Sequence, residues 1–460
     1  MNLYHMLAAR AEEDRPIRVG LIGAGKFGTM YLAQVRTTTG VHLAGLADLD
    51  LGAVQSRLEA AGWEPERWDA QSMNDALKRG TTFITDNADQ VIDCTELDVI
   101  IEATGVPHAG IRHCRRAIAA GHHVVMVTVE ADVVAGPLLA REAEKEGVIY
   151  SLAWGDQPAL VAEHVDWART CGFDVVAAGK GTRYHPDYHA LTPDTVWDVL
   201  QQYLKIADPE SINIKMFNSF LDGSKSGIEM TAVCNATGLV PQSSGLGFPP
   251  CSRFELADTC KPALDGGSLS RYGTTEVVSS LNRNGESVPH HLAMGTFVVI
   301  DADSDYARQC FQEYHMLPDR SGRYAALYRP THMIGMELGI SVASTVLRKE
   351  ATGRPKGFYS DVAAVAKRPL VKGETLDGEG GFCVWGKQLP AADSMARNAL
   401  PLGLAANIRL RRDVGAGDLL TFDDVEVDDA DEALRARQDM VKQFHPAAPE
   451  LVKLEPKQAA

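Results

Sequence analysis

The run Ile17-Arg-Val-Gly-Leu-Ile-Gly23-Ala-Gly25-Lys26-Phe27-Gly28 leaves this chain few architectures to choose from. A short apolar stretch, read as a buried strand, ends in Gly-x-Gly-x-x-Gly and opens helical spacing at Met30, Ala33 and Gln34. Each glycine has its own steric task. Gly23 permits the tight turn, Gly25 lets the backbone approach a pyrophosphate, and Gly28 lets helix and strand pack closely. Lys26 and Phe27 begin the helix, whose free N–H groups favour phosphate oxygens. A second strand-like run, Val41 to Ala47, ends in Asp48, twenty residues after Gly28, where a carboxylate accepts hydrogen bonds from an adenosine ribose.

Strand-like runs then alternate with helical spacing. Thr82 to Thr85, Asp98 to Gly105, His123 to Thr128 and Val148 to Ser151 read as strands; 50–62, 88–94, 108–120 and 131–146 read as helices. This rhythm predicts an α/β fold with a doubly wound parallel sheet of Rossmann type, which binds ligands at the carboxyl ends of its strands. Thr104-Gly105, Thr128 to Glu130 and Gly155-Asp156 lie at those ends and are candidates for the nicotinamide side. With 460 residues, more than one domain is expected. The divisions read from the sequence are a dinucleotide-binding domain (1–153), an α+β substrate domain (154–366) and a small β-rich unit (367–460). Gly353-Arg-Pro-Lys-Gly and Lys367-Arg-Pro read as linkers, Pro330 to Lys349 as a helix capped by Thr331, and 251–294 as loop-rich and unassigned.

A net charge of −16 repels nucleic acid and anionic membranes, and it requires any anionic substrate to be met by a local cluster of Lys or Arg. No apolar run approaches the roughly 20 residues that span a bilayer. Met1 to Asp14 reads as a short amphipathic helix rather than a signal peptide. The eight cysteines form no Cys-x-x-Cys pair, which fits a reducing cytoplasm better than zinc or disulfides. Seven acids within 423–432 read as a solvated face.

Four groups carry candidate chemistry. Lys180, Arg183, His185 and His189 form the densest positive cluster; it suits a phosphate or carboxylate, or is a polar loop with exposed charges. His185, Asp187 and His189 alternate, as a metal pair with a carboxylate would, although loop histidines are seldom ligands. Ser226-Gly-Ile-Glu229 reads as a capping box, yet Glu229 shares a face with Val233 and Ala236, which points to partial burial. Asn235 lies on the Ile228/Ala232 face, while Asp222 and Lys225 sit in the turn feeding the helix. A lysine there is expected to have a lowered pKa suited to proton transfer. Asp156, before Pro158, is either a helix cap or a functional carboxylate.

Taken together, Gly155-Asp-Gln-Pro, Leu221-Asp-Gly-Ser-Lys225-Ser-Gly-Ile-Glu-Met and Asn235-Ala-Thr-Gly resemble the deoxyxylulose phosphate reductoisomerase-like (DRL) family, over essentially the full length. Glu102-Ala-Thr-Gly-Val-Pro107 and the His123 strand are similar to homoserine dehydrogenases, although Thr128-Val-Glu130 stands where that family has Asn-Lys. Asp413-Val-Gly-Ala-Gly-Asp-Leu-Leu-Thr421 resembles the SAF module, over roughly 370–430. The resemblance implies a homodimer that uses NADPH to rearrange and reduce deoxyxylulose phosphate to methylerythritol phosphate, in isoprenoid synthesis. It implies Lys180 and Arg183 on the substrate phosphate, Lys225 and Asp222 moving the ketol proton, and Glu229 and Asn235 binding or polarising the substrate, through Mg or Mn. Asp48 without a following Arg favours NAD instead, and Arg57 is the nearest cation along the chain. That alternative is an NAD-dependent oxidoisomerase of a branched or four-carbon sugar acid; a non-catalytic NAD(H)-binding sensor is the third reading.

Overall fold

The computed structural model describes residues 2–204 and 212–444; the third unit's tail beyond them lies outside the described residues. After an N-terminal helix α1 (Leu3–Glu12), six strands form one parallel sheet: β1 (Ile17–Ile22), β2 (Val41–Ala47), β3 (Phe83–Thr85), β4 (Val99–Glu102), β5 (His123–Met126) and β6 (Tyr150–Leu152). Their order is β3-β2-β1-β4-β5-β6, so the chain leaves β1 in one direction and returns on its other side at β4. That reversal opens a crevice at the carboxyl ends of β1 and β4. Ile17, Val19 and Leu21 have no solvent exposure, as a strand covered on both faces requires. Helices α2 (Lys26–Val35), α3 (Pro107–Ala119) and α4 (Val129–Lys145) flank the sheet.

Helix α5 (Gln157–Thr170) leads to a second, mixed sheet ordered β10-β11-β9-β7-β8. Its strands are β7 (Asp174–Thr182), β8 (Thr274–Ser279), β9 (Thr296–Asp301), β10 (Leu317–Pro318) and β11 (Tyr324–Arg329). The glycine-rich Gly179 to Thr182 is the end of β7 rather than a loop. A Cβ on Gly179 or Gly181 would overlap the backbone of Glu276 or Leu292, so glycine here permits close strand contact and adds no flexibility. β8 lies inside the stretch that the sequence leaves unassigned.

Two helices follow one another at the centre, α6 (Ile214–Leu221) and α7 (Ser224–Thr237). Every residue of α7 is buried. It packs against α4, α5, β8 and two strands of the C-terminal unit, β12 (Ser360–Ala366) and β14 (Val384–Pro390). That unit also pairs β13 (Thr375–Asp377) with β15 (Ala406–Arg409) and ends in α8 (Glu432–Gln443), which packs on α3 and α4. One apolar cluster therefore runs from Ile111 and Leu139 through Val362 and Leu402 to Leu434 and Met440.

Several expectations are corrected here. Lys367 is no linker residue: its side chain is buried and lies 2.8 Å from Asp222 Oδ2. The helix read over Pro330 to Lys349 is instead a strap that ends in turns at 334–338, a short helix Gly339–Ala343 and one wide turn at Ser344–Arg348. Gly335 explains the break. Its φ is +80°, and a Cβ there would come within 2.5 Å of the Phe27 carbonyl, so the strap rests on the first turn of α2. In the acidic run, Asp424 is buried beside Arg412 and Asp431 caps α8, accepting the Leu434 N–H at 2.7 Å. No helix among the described residues is long and apolar enough to cross a membrane.

Candidate active site

The glycine cradle sits at the β1–β4 crevice, and its geometry fits a dinucleotide. Gly23 has φ +95°, and a Cβ there would meet the Ala103 carbonyl at 2.5 Å; on Gly28 it would meet the Gly23 carbonyl at 2.3 Å. Gly25 has nothing within 4 Å of its missing Cβ, which leaves its side of the loop open for a pyrophosphate. Lys26 is exposed on the first turn of α2, and Phe27 is half-buried under the strap. Asp48 Oδ2 accepts the Ala24 N–H at 2.7 Å and Oδ1 the Asp50 N–H at 3.1 Å, so its carboxylate braces the loop. Arg57 reaches the same loop, donating to the Ala24 carbonyl at 3.0 Å. At the ends of β4 and β5, Thr128 Oγ1 accepts the Gly105 N–H at 2.9 Å, and the Thr104 hydroxyl donates to Glu102 Oε1 at 2.6 Å. These residues tie the ends of β4 and β5 together.

Charges gather where α7 begins. Lys225, on its first turn, pairs with Glu130 of α4; Lys180, near the end of β7, pairs with Glu229, one turn further along α7. All four are buried. Asp156 caps α5, accepting the Gln157 N–H at 2.9 Å. Burial and the neighbouring Glu229 push its carboxyl up to about 7, against the pull of Lys225 and Lys180. Half-buried Glu379, from the loop after β13, is pushed up to about 8 by loss of water and by Glu130. Asp156 is therefore a cap that also carries a raised pKa.

The expectation of a lowered Lys225 pKa is reversed. Burial does disfavour its charge, but Glu130, Glu379, Glu229 and Asp156 outweigh that penalty and hold its pKa above the ordinary lysine value. The capping box is also replaced: Gly223 occupies the cap position of α7, and Glu229 is engaged by Lys180. Asp222 is less a neighbour of Lys225 than a clasp. It ends α6, accepts the Ser224 N–H at 2.8 Å and pairs with Lys367.

Two expected residues are not brought into this cluster. Arg183 lies three positions beyond Lys180, so an extended chain turns the two to opposite sides. Its guanidinium stands 4.6 Å from the Tyr203 ring centroid and 3.4 Å from Gln202 Oε1. Asn235 lies about 15 Å further along α7 than Lys225. Its Oδ1 accepts the N–H groups of Tyr359 at 2.9 Å and Ser360 at 3.0 Å, tying the helix to β12. His185 meets Asp187, its Nδ1 3.4 Å from Oδ2, and bonds the Arg283 carbonyl from Nε2, but His189 turns to the Asp222 carbonyl and the Tyr184 hydroxyl, so the three do not converge. Among the described residues, no three His, Cys, Asp or Glu side chains are arranged to hold a metal. Glu130 and Glu229 are each engaged by a lysine, which does not fit a divalent ion.

Sequence reasoning misses Glu379, Lys367 and His332. Glu379 has a signal, an acid flanked by Gly378 and Gly380; Lys367 is masked by the proline two positions on. His332, in the strap, donates from Nδ1 to the Met294 carbonyl at 2.8 Å, and burial lowers its pKa, leaving a neutral ring within electrostatic reach of Glu229 and Lys180.

Residues 155–338 match the family model described as the catalytic domain of oxidoreductase DRL. The match takes in Asp156, Lys180, Lys225, Glu229 and His332 and stops short of Glu379. No curated protein matches the chain in sequence. Among solved structures, a probable dehydrogenase from Thermotoga maritima is similar at 12% identity over 73% of this chain and 90% of that one, TM-score 0.38. A homoserine dehydrogenase from Thiobacillus denitrificans is similar at 20% identity over 49% of this chain and 50% of that one, TM-score 0.35. An NAD binding oxidoreductase from Klebsiella pneumoniae is similar at 17% identity over 36% of this chain, which spans 43% of that protein's length, TM-score 0.28. The family description names an oxidoreductase for residues 155–338, and the glycine cradle has the geometry that accepts a dinucleotide.

Proposed function

We propose that the protein transfers hydride between a nicotinamide and a small hydroxylated anion, a sugar phosphate or a sugar acid. The first reaction to test is the rearrangement and reduction of 1-deoxy-D-xylulose 5-phosphate to 2-C-methyl-D-erythritol 4-phosphate. The observation that carries this reading is the pair of buried Lys–Glu bridges, with Asp156 within electrostatic reach of both, its carboxylate and that of Glu130 just past the ends of β6 and β5 in the sheet that carries the cradle. The nicotinamide, when bound, donates or accepts the hydride; Gly23, Gly25, Gly28 and Asp48 would hold its nucleotide. Lys225 stays charged at neutral pH and is placed to steady an oxyanion on the substrate. Asp156, near neutrality in its titration, takes up and returns the hydroxyl proton. Lys180, held by Glu229, offers a second cation to the substrate's anionic end. No step is routed through a metal.

A second reading, NAD-linked oxidation and isomerisation of a sugar acid, is favoured by Asp48 and Asp50 at the ribose end, where two carboxylates repel a 2′-phosphate, with Arg57 the opposing charge. It is also favoured by Arg183 turning away from Lys180, which leaves no two-residue phosphate clamp. The experiment is NAD(P)H oxidation by the purified chain with deoxyxylulose phosphate, run with each cofactor. Turnover with NADPH supports the reductoisomerase; NAD reduction by a sugar acid moves the protein to the second reading. A cytoplasmic homodimer is part of the proposal, and light scattering checks the assembly.

A further inference from the structure

The β12–β14 ribbon has two faces. One lies on α7, where the Gly386 N–H donates to Ser224 Oγ at 2.8 Å. The other carries Trp385, Lys387 and Leu389, paired across the ribbon with Val365, Ala363 and Asp361. Over this outer face lies a cavity of about 430 Å³, walled by Trp385, Lys387, Arg397 and Asp418. A smaller cavity of about 250 Å³, also bordered by Trp385 and Lys387, reaches Gly223 at the start of α7. Lys225, Lys180, Glu130, Glu229 and Asp156 line neither.

The charge on these walls is not balanced. Lys367 is neutralised by Asp222, whereas neither Lys387 nor Arg397 has a carboxylate within ion-pair distance among the described residues. Asp418, the one acid on these walls, accepts the Gly415 N–H at 3.0 Å instead of pairing with either, so in a chain of net charge −16 the two cations leave the concavity locally positive. The volume suits a small molecule. Trp385 supplies an apolar wall, and His189 already covers one face of it, with ring centroids 3.8 Å apart and planes 22° from parallel. That leaves no slot for sandwiching a base, and it suits the C–H face of a sugar on the remaining ring surface.

The same histidine touches the turn that starts α7. Its Nδ1 donates to the Asp222 carbonyl at 2.6 Å, and its Nε2 accepts from the Tyr184 hydroxyl at 2.9 Å. A Cβ on Gly223 would stand 3.1 Å from His189 Cε1. The turn two residues before Lys225 therefore rests on the ring that backs Trp385.

We propose that this cavity is a second binding site, for a small sugar phosphate. Lys387 and Arg397 hold the phosphate, the sugar packs on Trp385, and occupancy stiffens the Asp222–Gly223 turn through His189. The site does not depend on the reaction proposed above. The test titrates the full chain with ribose 5-phosphate and, separately, inorganic phosphate, by calorimetry and tryptophan fluorescence. Saturable ribose 5-phosphate binding is expected, weakened about tenfold or more by Lys387→Ala and by Arg397→Ala, since each removes a charge-assisted hydrogen bond. Trp385→Phe should weaken the sugar phosphate several-fold and leave inorganic phosphate unchanged. No saturable binding, or binding that survives Lys387→Ala and Arg397→Ala but falls with Lys180→Met, overturns the site. Equal affinity for inorganic phosphate overturns the role of Trp385. Hydrogen exchange at residues 222–227 should slow on saturation, and unchanged exchange with the site full overturns the coupling.

Discussion

The cradle follows β1 and the lysine–carboxylate cluster draws on the ends of β5 and β6, and the two are built in opposite ways. The cradle is contiguous, Gly23 to Gly28, made of backbone, and its Gly25 side stands open. The cluster draws Glu130, Asp156, Lys180, Lys225, Glu229 and Glu379 from across the chain and buries most of their charge. A backbone site needs only the right glycines at the right spacing. A site of buried charges needs each charge to be answered, because an unpaired one costs several kcal/mol. The first tolerates change around it; the second is an interlocked set in which every member alters its neighbours' titration.

Substitutions can break or sharpen that contrast. The largest effect is expected at Lys225→Met, with turnover lower by about 10³ and NADH affinity retained. Glu130 would be left uncompensated, so Lys225→Met/Glu130→Gln should recover much of the lost melting temperature without the activity; steady-state kinetics and calorimetry separate the two. Gly28→Val should abolish NADH binding by fluorescence titration and lower stability, since even a Cβ collides with the Gly23 carbonyl. If it bound NADH normally, the cradle assignment would fail. Asp156→Asn should cut kcat/KM by about 10² and remove the limb of the pH profile near 7, keeping the fold.

A smaller test concerns a buried acid outside the cluster. Asp132 Oδ1 accepts the Tyr150 hydroxyl at 2.7 Å, its other oxygen has no partner, and burial pushes its carboxyl up to about 7. A carboxyl raised in the folded state favours folding while protonated. Its contribution is therefore present below about pH 4 and is lost as pH rises through about 7, by about 1.4 kcal/mol for each pH unit in that window. Asp132→Asn should flatten that fall and raise the melting temperature at pH 8 with little change at pH 4. The smallest effect is expected at Arg183→Ala, about twofold or less in KM, because its guanidinium lies over Tyr203. A large rise in KM would restore it to the substrate's anion.

The two regions also differ in how well a sequence displays them. The sheet is legible because a strand buried on both faces must be apolar throughout, and because a Gly-x-Gly-x-x-Gly turn has one efficient use. Lys225 and Glu229 stand out by their place at a helix start, yet their partners do not. Glu130 precedes Lys225 by 95 positions, and Glu229 follows Lys180 by 49; nothing local encodes either distance. For that reason the helix end alone predicts a lowered lysine pKa, and the surrounding acids reverse it. Lys367 reads as a linker because of the nearby proline, while its burial is a property of the assembled core. The strap at 330–338 fails as a helix because Gly335 is set by contact with α2, not by its own neighbours.

Helix α7 has no face to solvent. Its amides can exchange with water only when several packed elements part, so residues 228–234 should be among the slowest in the molecule to take up deuterium. A lysine carried on such an element has little freedom to search for its substrate. Any opening and closing that admits reactants must occur in what surrounds the helix, and the strap set on α2 at Gly335, which brings His332 within electrostatic reach of Glu229 and leaves Met333 and Met336 exposed, is one such piece. Slow steps in turnover would then belong to the covering, while the charged core keeps time with nothing but thermal vibration.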